Sequence, residues 1–134
     1  MADIDEMRKK FDESPCAVYL GMKLVDLSKG YAKVMMELKK EHLNWENMVH
    51  GGIVTTVLDQ AFGCACNTLD NIHVAVQMNV HFIKAPAVGE TLIAESKVLH
   101  AGKRMGTSEM KVCDSKGTEI ARATGTTVCI GPRT

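Results

Sequence analysis

Between Gly51 and Leu69 the chain places apolar residues on nearly the whole circumference of a helix: Ile53, Val54, Val57, Leu58, Ala61, Phe62, Ala65 and Leu69. A helix apolar all round is predicted to be a buried helix. Its Val and Thr residues are β-branched and weak helix formers, so packing against other elements has to hold it. Almost everything around it reads as strand. Lys23–Leu27 and Tyr31–Lys39 are joined at Ser28-Lys29-Gly30, and in the second Val34, Met36 and Leu38 alternate with Lys33, Met35 and Glu37, a half-buried pattern. Val74–Ile83, Glu90–Leu99, Gly106–Cys113 and Glu119–Ile130 follow, separated by Pro86 and Gly89, by Ala101-Gly102-Lys103-Arg104, and by the hairpin turn Asp114-Ser115-Lys116-Gly117. A strand meander with one apolar helix predicts a curved antiparallel sheet wrapped around that helix. The class is α+β, not α/β, because helices and strands do not alternate.

A short amphipathic helix leads the chain over residues 3–13, with Ile4, Met7 and Phe11 at helical spacing and Pro15 after it; Ala17–Met22 adds another turn. Glu41–Val49 is a polar loop containing Asn44, Trp45 and Asn47. No linker or internal repeat interrupts residues 1–134, which read as one domain able to bury roughly two-thirds of the surface its unfolded chain exposes.

Sixteen basic residues balance sixteen acidic ones. Zero net charge argues against a general binder of nucleic acid or membrane surface, which needs a basic excess. No apolar run is long enough to span a membrane, and the charged start MADIDEMRKKFDES is unlike a secretory leader, so the cytoplasm is the expected compartment. Of the five cysteines none forms a CxxC pair, and Cys64 and Cys66 face different directions on a helix. They read as small apolar residues, and no metal or other cofactor is expected.

Asp59 breaks the pattern of its helix. No basic residue lies between Gly51 and Asp70 to pair with it. An ionised carboxylate buried without a partner costs several kcal/mol, so Asp59 must be hydrogen-bonded, protonated or open to a wet cleft. A second feature, His50-Gly51-Gly52, begins the same helix. The first N–H groups of a helix have no intrahelical acceptor, and with the helix dipole they can bind negative charge developing on a carbonyl oxygen. Gly51 and Asp59 stand eight positions apart, about 12 Å along a helix axis. One small reacting group cannot touch both within one chain. Either they are unrelated, or a two-fold dimer pairs Gly51 of one chain with Asp59 of the other.

Asn44-x5-His50-Gly51-Gly52-x6-Asp59 resembles the loop and helix signature of the hotdog-fold thioesterases, especially the phenylacetate-degradation (PaaI) type. Val76-Gln77-Met78-Asn79-Val80-His81-Phe82, then Lys84-Ala85-Pro86 and Gly89-Glu90, resembles the strand and turn after the helix in that group; the resemblance runs from about residue 17 to 130. It implies dimers that pair into tetramers and hydrolysis of acyl-CoA thioesters. It assigns the Gly51 N–H to polarising the thioester carbonyl and Asn44 to positioning the substrate or the attacking water. Asp59 of the facing subunit becomes general base or nucleophile. His50 shapes the loop, with Gly52 and Gln60 beside the substrate.

The chain departs from the family where a hydroxyl would assist the acid: it has Ala75 on the following strand and Gly63 one helical turn beyond Asp59. Water positioning then falls to Asn44, Gln60 or Thr68. An acyl-CoA-binding domain without turnover and an acyl-thioester dehydratase stay open as alternatives, the latter needing a His against the acid. CoA phosphates call for basic groups, for which Lys84, Lys97, Lys103 and Arg104 are candidates. Trp45, Phe62, Met78 and Phe82 are candidates for an acyl pocket.

Overall fold

A computed structural model describes residues 2–133. Two short helices, α1 (Ile4–Asp12) and α2 (Pro15–Leu20), precede the strands β1 (Lys23–Ser28) and β2 (Tyr31–Glu37). A 3₁₀ turn (Lys40–His42) leads into the central helix α3 (Gly51–Cys66), and β3 (Asn71–Phe82), β4 (Thr91–Ala101), β5 (Met105–Cys113) and β6 (Glu119–Pro132) complete the chain. The six strands form one sheet in the order β1-β2-β4-β5-β6-β3, every neighbouring pair antiparallel. This is the expected α+β architecture. No helix among the described residues is long and apolar enough to cross a membrane.

The alternation of buried and open residues along β2, β5 and β4 as far as Ser96 gives the sheet one apolar face. Against it lie Val54, Val57, Leu58, Ala61, Phe62 and Ala65 of α3, all buried. The closest approach is at Gly125 of β6, where an added Cβ would stand 2.5 Å from Cζ of Phe62. Glycine there lets the ring sit on the sheet backbone, and burying an aromatic of this size contributes roughly 1.5–3 kcal/mol.

Two sequence-based expectations need correction. The helix ends at Cys66, not Leu69. Asn67 Nδ2 donates to Gly63 O at 2.8 Å and Thr68 Oγ1 to Ala65 O at 2.7 Å, so side chains satisfy the last carbonyls that a further turn would have used. Nor is α3 buried all round. Gly52 and Asp59 are exposed and Gln60, Gly63 and Cys64 half-buried, leaving an open stripe along the face turned from the sheet.

The two sheet edges differ. β1 is six residues long, with a register shift between Leu24 and Asp26 that blunts it. β3 runs twelve residues, bonded to β6 on one side only, and exposes Val74, Val76 and Phe82. A long apolar edge with unpaired backbone groups is a template for another strand.

Candidate active site

The start of α3 is built around His50. Its backbone is extended (φ −62°, ψ 129°), and its Nδ1 accepts the Gly52 N–H at 2.9 Å, the side-chain cap that Ser, Asn or Asp more often supplies. The His50 carbonyl accepts from Ile53 N at 2.9 Å and Val54 N at 3.4 Å. Of the first four amides of the helix, Gly51 alone donates to no group among the described residues. It sits at the positive end of the helix dipole, and the Phe82 ring at the end of β3 lies against it, 3.3 Å from where a Cβ would stand. One free, directed N–H beside the open sheet edge can stabilise an oxyanion.

Asn44 organises the loop before it. Its Oδ1 accepts from Glu46 N at 2.9 Å and Met48 N at 3.1 Å, its N–H donates to Met48 O at 2.7 Å, and Asn47 takes a left-handed turn (φ 59°). The loop leaves the Asn44 side-chain NH₂ as the part that can face a substrate.

Asp59 opens onto a groove of about 420 Å³ between α1 and α3. Gln60, Gly63, Cys64 and Asn67 continue that wall of α3, and Met7 and Phe11 of α1 face them. The Asp59 carboxyl has no hydrogen bond or ion pair among the described residues. Although it reaches solvent, the groove walls strip hydration from its charged form and hold its pKa above the ordinary carboxylate value. Gln60 Nε2 lies 3.8 Å from Cys64 Sγ, and burial pushes that thiol up to about 11, which keeps it protonated. No histidine lines the groove, and no cluster of His, Cys, Asp or Glu among the described residues could hold a metal ion.

Other expected residues are dispersed. Phe62 is fully buried core, Trp45 is 94% exposed on its loop, Met78 packs half-buried against the core, and Phe82 lies at Gly51; they do not gather into one acyl pocket. Thr68 is fully buried, its hydroxyl donating to Ala65 O and accepting from Gly30 N at 2.7 Å, so it cannot position a water. Ala75 pairs with Thr127 on β6 and places no hydroxyl at α3. Lys84 follows β3 near Phe82, whereas the exposed Lys103-Arg104 turn lies at the other end of the sheet, where β5 begins opposite Val128. A second hollow of about 530 Å³ on the outer sheet face, lined by Tyr31, His81, Lys97, Lys111 and Arg122 among others, contains neither Gly51 nor Asp59. Among its lining charges Lys111 lies 3.9 Å from Glu95 and Arg122 pairs with Glu119, while Lys97 and Glu109 have no ion pair among the described residues. Sequence reasoning missed the contribution of α1 to the Asp59 groove, since Met7 and Phe11 signal only an amphipathic helix.

A family model described as the thioesterase superfamily matches residues 46–121. A protein of Archaeoglobus fulgidus described as a candidate esterase is 39% identical over 107 residues, spanning 80% of this chain and 70% of that one. The acyl-coenzyme A thioesterase PaaI of Escherichia coli is 29% identical over 121 residues, 90% of this chain and 86% of that protein. The solved structure of that PaaI, from the phenylacetic acid degradation operon, superposes with a TM-score of 0.88 at 26% identity, covering 97% of this chain and 98% of that one. A Streptococcus mutans protein solved with acetyl CoA bound superposes with a TM-score of 0.81 at 26% identity, covering 84% and 91%.

Proposed function

The chain belongs to the thioesterase superfamily, and from that premise we propose that it hydrolyses acyl-CoA thioesters in the cytoplasm, at sites each shared by two subunits. The observation that carries this reading is the pairing of one unspent amide, Gly51, with one unpaired carboxyl, Asp59, at well-separated points of the same helix. At about 1.5 Å per residue the two stand about 12 Å apart along the axis. Antiparallel pairing of two β3 edges is the arrangement that would bring them together, because Gly51 already touches the end of β3 through Phe82. The same pairing turns the partner's sheet end, with its own Lys103-Arg104 turn, toward Gly51 and Lys84, where phosphates of CoA would find positive charge. Dimers then pair into tetramers, as the resemblance implies.

In this scheme the thioester oxygen accepts the Gly51 N–H. Asp59 of the facing subunit removes a proton from water as the water oxygen bonds to the thioester carbon. The tetrahedral oxyanion collapses, the carbon–sulfur bond breaks, and the CoA thiolate takes the proton back from Asp59. The nucleophilic variant instead bonds Asp59 to the carbon, releases CoA and leaves an anhydride for water to cleave. The Asn44 NH₂ and Gln60 hold the water or the carbonyl; His50 sets the loop, and Gly52 is held to His50.

Thiol release measured over aromatic, short and long acyl-CoAs, with Asp59→Asn alongside, tests the reaction. Turnover that disappears in the variant is expected. Tight binding without free thiol means a carrier or sensor, and loss of water from a hydroxyacyl-CoA means a dehydratase. Mixing Gly51→Pro with Asp59→Asn subunits tests the shared site. Proline is tolerated at the first helical position and removes the one N–H at issue. Mixed dimers regain activity if sites are shared and stay inactive if each lies within one chain.

A further inference from the structure

Resting on the thioesterase reading, the geometry points to the α1–α3 groove as an acyl pocket for chains that end in a carboxylate, with Arg133 as the residue that reads that end. The groove follows α3 from Asp59 through Gln60, Gly63 and Cys64 to Asn67, about 12 Å at 1.5 Å per residue. Its reacting carboxyl stands at one end and Arg133 lines it at the other. Between them Met7 and Phe11 from α1 and Gly63 and Cys64 from α3 supply apolar or small wall, alongside the polar Lys10, Ser14 and Gln60. An added Cβ at Gly63 would meet nothing within 4 Å, so the middle of the groove is open space.

Among the described residues Arg133 has no ion-pair partner. Its Nη2 donates to Asn67 Oδ1, Leu69 O and Asn71 O, each at 3.4 Å, which are long contacts to neutral oxygens. Its Nε is buried with no partner, and Nη1 donates to nothing among the described residues. The other cation of the groove, Lys10, is already 3.4 Å from Glu6. A guanidinium held this way gains charge-assisted, two-pronged bonds from an incoming carboxylate that its neutral neighbours do not supply. Asp59 at the opposite end repels the same anion. Selection should therefore favour chains long enough to put the carboxylate at Arg133 while the thioester stays at Asp59.

The test compares kcat/KM for thiol release from suberyl-CoA and octanoyl-CoA, with succinyl-, acetyl- and phenylacetyl-CoA as controls. The unaltered protein should prefer suberyl over octanoyl by roughly tenfold, the scale of one hydrogen bond to a charged group, and should use succinyl poorly. Arg133→Met should bring the suberyl-to-octanoyl ratio close to one, and Arg133→Lys should retain part of it. Gly63→Leu, which fills open space, should lower suberyl and octanoyl turnover relative to acetyl. Equal use of suberyl and octanoyl by the unaltered protein, a preference that survives Arg133→Met, or a chain-length profile untouched by Gly63→Leu overturns the pocket and leaves the thioesterase reading standing. Absence of thiol from every one of these substrates overturns the thioesterase reading, and the pocket with it.

Discussion

His50 Nδ1 accepts the Gly52 N–H at 2.9 Å, and by taking that amide it leaves Gly51, among the described residues, as the single unspent donor at the start of α3. On the proposed mechanism, the cap would thereby select which N–H faces the thioester carbonyl. His50→Asn keeps a side-chain acceptor at the cap and should retain both melting temperature and most of the turnover. His50→Ala should lose about 1 kcal/mol of stability and release Gly52 to compete for the carbonyl. Thermal denaturation and kcat for the two variants separate a capping histidine from a proton-transferring one.

Asp59→Asn should lower kcat by about 10²–10⁴-fold, the usual contribution of a positioned acid or base. It should not lower stability, since the carboxyl it replaces has no hydrogen bond or ion pair among the described residues. Single-turnover kinetics and thermal melting on the same preparation check both halves.

The raised pKa of Asp59 has a definite sign in stability. Burial penalises its charged form, so the native state favours the protonated group; stability from this residue is full below the ordinary value of 3.8 and is lost as pH rises through the higher native value. Asp59→Asn removes that loss. The variant should melt above the unaltered protein at neutral pH, and the gap should close as pH falls below 3.8. In the unaltered enzyme the acid limb of kcat/KM should lie above the ordinary aspartate range, as measured by a pH–rate profile.

Two glycines should respond in opposite directions. Gly125→Ala places a Cβ 2.5 Å from Phe62 Cζ and 3.0 Å from Met110 Cε, overpacking that should cost roughly 1–3 kcal/mol. Gly63→Ala meets nothing within 4 Å and lies in a helix interior, where alanine should gain about 0.5–1 kcal/mol. Urea denaturation of the pair checks the sign of each.

Val76→Lys puts a charge on the exposed β3 edge without touching α3. It should shift the sedimenting species toward a single chain and remove turnover in parallel. A protein that stays dimeric, or a fully active single chain, would contradict the shared site.

The features legible in the sequence were those set by local chemistry. A carboxylate among apolar helical residues and a glycine pair at a helix start make Asp59 and Gly51 candidates without tertiary knowledge, and their spacing is fixed by helical rise. Alternation in β2, and turn residues such as Asp114-Ser115-Lys116-Gly117 between the later strands, mark out the sheet. Features that depend on distant partners were not legible. Asn71, Ile72 and His73 look unlike a strand, yet they pair with Pro132, Gly131 and Cys129. Thr68 reads in sequence as an available hydroxyl, but its burial against Gly30 N depends on a residue 38 positions away. Arg133 gave no signal at all, because its place beside Asn67 arises only when β6 returns alongside β3.

On the shared-site proposal, the twelve-residue edge of β3 would also tie catalysis to how much protein is present. A site completed only by a neighbour is second-order in chain, so specific activity should fall on dilution while each molecule remains folded. In a cell with two defective copies of the gene, one lacking the Gly51 amide and the other the Asp59 carboxyl, mixed pairs would still build one working centre. The defects would complement each other rather than add.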